Sequence, residues 1–481
     1  MIGIISMIFE VIFQVISELF DGFFEFTATI LAQERKTEYT ADFEDVSVHL
    51  GTSNTGFCLD GKNSTDISIS HRGALIIGGS GSGKTTSILL PTIYNAIKGN
   101  TSIIINDPSL ELIAKSGSYL KSKGYEVLNI NWNSKNSNCF NPIHRCKTIS
   151  DIQKISQTII DNALGSSIDI FWNRSAQGLI NLMIRYLKFH TEEKYHTMSN
   201  VLNLLNSFIG NPTAVDRLFV YAHDPILLAE YKSYVGIGEK TLGSIIATCK
   251  SALNIWNDEI VSLITSHDNI DFKKFRHNKI ALFLNSSTTS MKYHSTISAI
   301  FFSQFFDEIL SKLPNENENN ILFLLDEASS FYLPELPLVV ANCRKYSTGV
   351  MLVFQDTMIM DSMYGTNEAH NIRANCFSKV YLPGQPNITC RELEQTLGKF
   401  EYADKDGKRQ IRSLLLADEI RQTDKALILL GNLAPIHTKL YPFYKNEKLL
   451  SYSNLPMINL TNELPFSLPP ILPLHEERKE K

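Results

Sequence analysis

The chain carries a short stretch whose residue types and spacing suit the handling of phosphate. Gly78, Gly83, Lys84 and Thr85 satisfy G-x-x-x-x-G-K-[ST], and Gly79, Ser80, Gly81, Ser82 and Thr86 complete the stretch G-G-S-G-S-G-K-T-T. Such a loop turns backbone N–H groups inward around phosphate oxygens, and glycines keep side chains out of the way. Lys84 is placed to reach the β- and γ-phosphates of a nucleoside triphosphate, and Thr85 to offer a hydroxyl to Mg²⁺. Far downstream, Ile321 to Glu327 reads I-L-F-L-L-D-E, an apolar run closed by two carboxylates. Asp326 suits the Mg²⁺ shell, and Glu327 suits a group that orients and polarises an attacking water. Gln355 ends the run G-V-M-L-V-F-Q. Its amide suits a sensor of the γ-phosphate that adds no charge, and equally a satisfied polar strand end. Arg344 stands just ahead of that run, in A-N-C-R-K-Y-S-T-G. In a ring of protomers it would reach a neighbour's nucleotide; otherwise it is a surface arginine. The implied cofactors are ATP and Mg²⁺.

These residues need elements to hold them. Ala74 to Ile77 is a short apolar run that predicts a strand feeding the glycine-rich turn, and Thr85 to Ile97 is helix-compatible. Ser102 to Asn106 predicts a second strand ending in Asp107, Ser109 to Lys123 a helix, and Tyr125 to Ile130 a third strand. Lys279 to Asn285, Ile321 to Glu327, Gly349 to Gln355, Phe377 to Leu382 and Ala426 to Leu430 read as later strands, with a helix over Ser295 to Leu313. Alternating strands and helices predict an α/β fold with a mostly parallel sheet, helices on both faces, and ligands bound at the C-terminal strand ends. From about Ile149 to Thr265 the chain reads as helices, including Phe171 to Lys188 and Ser199 to Phe208. That predicts an all-helical subdomain inserted into the α/β core. Phe171, Trp172, Tyr186 and Trp256 fall at helical spacing and read as core in preference to a base-stacking platform.

Composition narrows the class. The 481 residues exceed one typical domain, and 43% hydrophobic with 20% charged residues is a globular balance. A net charge of −5 excludes a protein that coats nucleic acid over its whole surface, so any such contact must be local. Lys273, Lys274, Arg276 and Lys279 form a basic run that serves either DNA phosphates or solvent. Seven scattered cysteines without a C-x-x-C pair argue for a reducing compartment. Cys139, His144 and Cys146 have poor spacing for zinc.

Residues 1–32 are apolar but interrupted by Glu10, Glu18, Asp21 and Glu25, which fall on one helical arc. That is an amphipathic helix. Its polar face is acidic, which favours a partner helix or membrane-protein subunit over direct contact with anionic lipid, and a fold-back onto its own domain is the alternative. The organisation is thus an amphipathic helix over 1–32, a first part of the nucleotide-binding domain over 33–148, and the helical insertion over 149–265. The second part of that domain follows over 266–455, then a Pro-rich flexible tail over 456–481.

From about Arg72 to Tyr444 the chain resembles the TraG/TraD-type coupling ATPases of type IV secretion and conjugation, within the wider FtsK/HerA-like motor group. The matching stretches are N-D-P-S-L-E-L (Asn106 to Leu112), K-S-K-G-Y-E-V (Lys121 to Val127), C-F-N-P-I (Cys139 to Ile143) and F-W-N-R-S-A (Phe171 to Ala176). They continue with G-E-K-T-L-G-S-I (Gly238 to Ile245), L-L-D-E-A (Leu324 to Ala328), the run from Cys343 to Gln355, and R-S-L-L-L-A-D-E-I (Arg412 to Ile420). The resemblance implies a RecA-like P-loop domain with an all-helical insertion, assembled as a ring, usually a hexamer, around a channel. It also implies the roles given above for Lys84, Thr85, Asp326, Glu327, Gln355 and Arg344. Two departures stand out. Family members commonly write D-P-K-G-E where this chain has Ser109 and Leu110 after Asp107-Pro108, and they commonly begin with membrane-spanning helices.

The expected function is an ATP-driven coupling protein delivering single-stranded DNA with its attached relaxase, or a protein substrate, to a secretion channel. It would act in the cytoplasm at the inner face of the cell membrane, docked to channel subunits through residues 1–32. The alternatives are a nucleotide-gated docking subunit that recruits protein effectors without moving DNA, and a soluble DNA motor.

Overall fold

The computed structural model describes residues 39–165, 170–460 and 468–474. The amphipathic helix expected over 1–32 lies outside them. Contacts divide the chain into two compact units, of which the larger is Glu44–Pro386 with Arg421–Lys481 and the smaller contains Asn387–Ile420.

The larger unit is built on a nine-stranded sheet. Its strands are β1 (Ala74–Ile77), β2 (Thr101–Asn106), β3 (Glu126–Asn131), β4 (Ile280–Asn285), β5 (Asn320–Leu325), β6 (Thr348–Phe354) and β7 (Ser378–Tyr381). The smaller unit holds β8 (Lys399–Ala403) and β9 (Arg409–Ser413), and β10 (Ala426–Leu430) and β11 (Ile436–Thr438) return to the main sheet. The order is β11-β10-β7-β1-β6-β5-β2-β4-β3. From β7 to β3 all pairs are parallel, and β10 and β11 add an antiparallel edge.

The parallel strands are apolar on both faces because both faces are covered. Along β5, Ile321, Phe323 and Leu325 enter one core and Leu322 and Leu324 the other. β6 repeats this period of two with Val350, Leu352 and Phe354 against Met351 and Val353. Each such fully buried side chain stabilises the fold by about 1.5–3 kcal/mol.

Between β3 and β4 the chain is helical, with Ile149–Leu164, Ile170–His190, Met198–Gly210, Pro212–Tyr221, Pro225–Val235, Glu239–Ala252 and Glu259–Ile264. Asn141, Thr148, Thr197, Asn211, Asp224 and Asp258 start helices here by accepting backbone N–H groups with their side chains, the usual N-cap device. This segment shares a core with one face of the sheet. Phe301, Phe302, Phe305 and Phe306 of the helix Ser295–Ile309 pack on Phe323 and Phe272, and Ile155, Leu179 and Met183 continue the same cluster. Tyr186 and Trp256 are buried in it, as read from the sequence, whereas Phe171 is exposed and stacks edge-on against Trp172.

The tail expected to be flexible over 456–481 needs correction in its described parts. Ile458 packs on the helix Glu111–Ser122 so closely that a Cβ on Gly117 would meet it at 2.7 Å. Leu472 is buried in the core of the helical segment, and Leu474 packs against it. Apolar residues spaced between prolines find two separate seats.

In the smaller unit, β8 and β9 form an antiparallel hairpin, and Asp404 accepts the N–H groups of Asp406 and Lys408 at its turn. Among the described residues no helix is long and apolar enough to cross a membrane.

Candidate functional site

The strand register assembles the site. Ile77 of β1 pairs with Phe354 of β6, Leu325 of β5 with Leu352 of β6, and Asn106 of β2 with Leu325. Each strand therefore ends at the same edge of the sheet. Gly78, Gln355, Asp326 and Asp107 are the next residues of β1, β6, β5 and β2 respectively. Four polar turns converge because four apolar runs stop together.

The loop from Gly78 to Thr86 leaves β1 and enters a helix that begins with a wide turn over Lys84–Leu89, where the Leu90 N–H bonds the Thr85 carbonyl. Pro91 follows and has no N–H to give the carbonyl one turn back, which suits a widened turn before it. Gly83 has φ 98°, a left-handed conformation that a side chain would strain. A Cβ on Gly78 would meet Ser82 Oγ at 2.5 Å and Leu382 at 2.8 Å. Ser82 Oγ donates to the Gly79 carbonyl at 2.8 Å, which closes the loop on itself. Gly79 and Gly81 face open space, Ser80 and Gly81 lie at its rim, and Thr85 and Thr86 follow Lys84 on the first turn of the helix.

Lys84 is buried, and its Nζ donates to the carbonyl oxygens of Gly78 at 2.8 Å and Gly79 at 3.4 Å. The ammonium lies 3.8 Å from Glu327 Oε1. Gln355 Nε2 in turn donates to both carboxylate oxygens of Glu327, at 3.0 and 3.2 Å. The backbone of Glu327 is left-handed (φ 51°, ψ 54°), and its N–H bonds Asp326 Oδ1 at 3.1 Å. This conformation costs a non-glycine residue about 1–2 kcal/mol and marks the turn as one held by its surroundings.

Asp326 is buried. Its carboxyl is pushed up to about 7, first by burial, then by Glu327 and Asp107, with Lys84 pulling the other way. Asp107 is fully buried and is pushed up to about 6, mainly by burial, while the Ile113 N–H donates to its Oδ2 at 2.8 Å. Acids this crowded and dry favour a cation among them. A carboxylate such as Asp326 and a hydroxyl such as that of Thr85 are hard oxygen donors of the kind Mg²⁺ takes beside phosphate oxygens and waters. Among the described residues no cluster of three His, Cys, Asp or Glu side chains forms a complete metal cage. The phosphate loop and the buried acids beside it fit a Mg²⁺-nucleotide.

Two supporting residues were not singled out from the sequence. Asn106 Nδ2 donates to the Asp326 carbonyl at 2.5 Å, and Asn285 Nδ2 to the Asp107 carbonyl at 2.7 Å. Both close an apolar strand, β2 and β4, which is the signal that marked Asp326 and Gln355.

Arg344 is not brought to these residues. It lies exposed in the turn Cys343–Tyr346 at the N-terminal end of β6, and that seven-residue strand puts roughly 20 Å between it and Gln355. The basic run also divides. Lys273 and Lys274 are exposed, but Arg276 is buried and donates to the carbonyls of Asn319 at 3.0 Å and Tyr346 at 2.5 Å and to Thr348 Oγ1 at 3.0 Å. Arg276 ties together the turns before β5 and β6, and its burial keeps it from serving as a DNA contact.

A sequence family described as Type IV secretory system Conjugative DNA transfer matches residues 26–466. Protein VirD4 of Rhizobium radiobacter is 20% identical over 82% of this chain and 60% of its own length. A conjugal transfer protein TraG of the same species is 22% identical over 61% of this chain and 47% of its own length. The chain thus spans about half to six-tenths of the length of these curated relatives. Among solved structures, the bacterial conjugative coupling protein TrwBdeltaN70 in complex with sulphate has TM-score 0.69 at 16% identity, covering 84% of this chain and 95% of that one. TrwB in complex with ADP and Mg²⁺ has TM-score 0.68 at 16% identity, covering 84% and 94%. With 441 matched positions, from 26 to 466 inclusive, and a RecA-like P-loop fold shared with TrwB, the chain belongs to the type IV secretory system conjugative DNA transfer family.

Proposed function

We propose that this chain is an ATP-hydrolysing coupling motor that hands DNA with an attached relaxase, or a protein, to a type IV secretion channel. The observation that carries the reading is the set Lys84, Glu327 and Gln355 beside buried Asp326 at one edge of the sheet. TrwB, which shares the fold, is described in complex with ADP and Mg²⁺ and with a non-hydrolysable ATP analogue.

In this reading Lys84 exchanges its carbonyl partners at Gly78 and Gly79 for the β- and γ-phosphates. Thr85 and Asp326 hold Mg²⁺, which when bound neutralises charge on the phosphate oxygens. Glu327, aimed by Gln355, takes the proton of the attacking water and orients it. Arg344 acts on a neighbouring protomer's nucleotide in a ring, since its own lies across the sheet. Residues 1–32 dock the assembly to channel subunits at the inner face of the membrane.

A second reading, a nucleotide-gated subunit that recruits proteins without moving DNA, draws on the net charge of −5 and on the burial of Arg276 away from solvent. Steady-state ATPase activity over a range of single-stranded DNA concentrations, at low and moderate salt, separates the two. Stimulation that fades as salt rises supports the motor. A rate indifferent to DNA supports the docking subunit. Lys84→Ala is the control, and it should weaken ATP binding at least ~100-fold through loss of charge-assisted hydrogen bonds.

A further inference from the structure

Residues 468–474 read L-P-P-I-L-P-L and lie against the helical segment. With prolines at 469, 470 and 473, few N–H groups remain in this stretch, and the backbone favours an extended polyproline conformation. One side chain reads it. Asn200 Oδ1 accepts the Leu472 N–H at 2.9 Å, and Asn200 Nδ2 donates to the Pro470 carbonyl at 3.0 Å. An asparagine amide offers one acceptor and two donors, so it pairs with a peptide backbone as a neighbouring strand would. With the segment in place Asn200 is 2% exposed, and its two Nδ2 hydrogens are shared among the Pro470 carbonyl, the Tyr195 carbonyl and Thr197 Oγ1.

Around this clamp, Leu472 enters the core while Ile471 is 71% exposed and Leu468 55% exposed. One anchor side chain is buried and its neighbours are in solvent, the pattern of a bound peptide more than of an integral strand. Three residues along the same helix, on the same face, Asn203 Nδ2 is buried and without a hydrogen-bond partner. It is a further amide donor about one helical turn from the first.

We propose that the face of the helical segment bearing Asn200 and Asn203 is a docking site for a partner's extended, uncharged, proline-punctuated peptide with a leucine anchor. Residues 468–474 occupy it as a built-in stand-in that such a peptide displaces. Buried Leu472, partly buried Leu474 and one side-chain clamp hold the segment, a small set of contacts that sets it at the easily opened end of the structure. Its tethering gives it a high local concentration, so a partner must compete with it. The proposal is independent of the nucleotide reading, because it concerns peptide binding and not turnover.

The test uses full-length chains and a fluorescein-labelled peptide of sequence Leu-Pro-Pro-Ile-Leu-Pro-Leu. Leu472→Glu places a charge at the anchor and unseats the chain's own segment, and Leu474→Glu does so more mildly. Fluorescence anisotropy should report saturable binding to either variant, about tenfold or more weaker binding to the unsubstituted chain, and a loss of tenfold or more when Asn200→Ala is added to Leu472→Glu. Thermal unfolding of each variant, followed alongside, shows that it is folded. Absence of saturable binding to a folded Leu472→Glu or Leu474→Glu chain would overturn the proposal, as would binding indifferent to Asn200→Ala. If neither variant folds, residues 468–474 are an integral part of the core and the proposal is equally overturned. Self-association of the unsubstituted chain that the peptide dissolves would assign the site to a second copy's segment, and the partner reading would fall.

Discussion

Gln355 Nε2 bonds both carboxylate oxygens of Glu327, at 3.0 and 3.2 Å, so the glutamine at the end of β6 aims the acid at the end of β5. The two residues are 28 positions apart in the chain and meet because β5 and β6 are neighbours. A sensor of γ-phosphate in this place would act through the glutamate it holds.

Gln355→Glu keeps the size and sets two carboxylates against each other, so Glu327 should swing away. Turnover is expected to fall by roughly 10²-fold or more with nucleotide affinity changed little, because only a transition-state interaction is lost. Glu327→Gln should likewise bind ATP and not hydrolyse it. Single-turnover hydrolysis beside equilibrium nucleotide binding checks both, and wild-type turnover in Glu327→Gln would remove Glu327 as the water-activating group.

Asp326 makes stability depend on pH in a specific direction. Its folded value of about 7 lies above the roughly 3.9 of an unfolded aspartate, so the folded state holds a proton the unfolded chain has released. The buried charge weighs fully against folding above pH ~7, less as pH falls, and not at all below pH ~4. Without Mg²⁺, Asp326→Asn should stabilise the protein at pH 8 by on the order of 1–4 kcal/mol, the gain shrinking toward zero near pH 4. Thermal unfolding in EDTA across that range reads the difference, and a gain constant with pH would mean the carboxylate is not the cause.

Leu110 stands in a left-handed conformation, φ 61°, where the resembling family commonly has glycine. The leucine is strained there by about 1–2 kcal/mol and recovers part of this by packing on the second core. Leu110→Ala keeps the strain and loses the packing, whereas Leu110→Gly loses both. Glycine should therefore be more stable than alanine at this position by about 1 kcal/mol, the reverse of their usual order in ordered structure. Denaturant unfolding of the two variants decides the sign.

If Arg344 works across a protomer boundary, Arg344→Ala and Glu327→Gln chains are each inactive alone and complement one another when mixed. In an equal random mixture roughly a quarter of interfaces join an intact Glu327 to an intact Arg344, so about that fraction of activity should return. No recovery on mixing, with both variants still assembling, would make Arg344 a surface arginine.

The sequence by itself determined the strands of the parallel sheet, the phosphate loop and the helical character of residues 149–265. Those signals are local: unbroken apolar runs, glycine spacing, and helical periodicity with polar caps. The hairpin β8–β9 was not legible, because Tyr402 and Ile411 are 43% and 53% exposed and no buried face imposes a pattern on it. Nor was the seating of residues 456–460 and 468–474, since prolines and apolar residues look alike whether the chain is loose or lodged in a groove. Only the tertiary structure decided which polar strand ends meet. Strand order placed Asp107 beside Asp326 and Gln355 over Glu327, sent Arg344 to the far edge of the sheet, and buried Arg276 among backbone carbonyls. Partners separated by dozens to hundreds of residues are chosen by how the sheet is wound, and no local stretch of sequence carries that order.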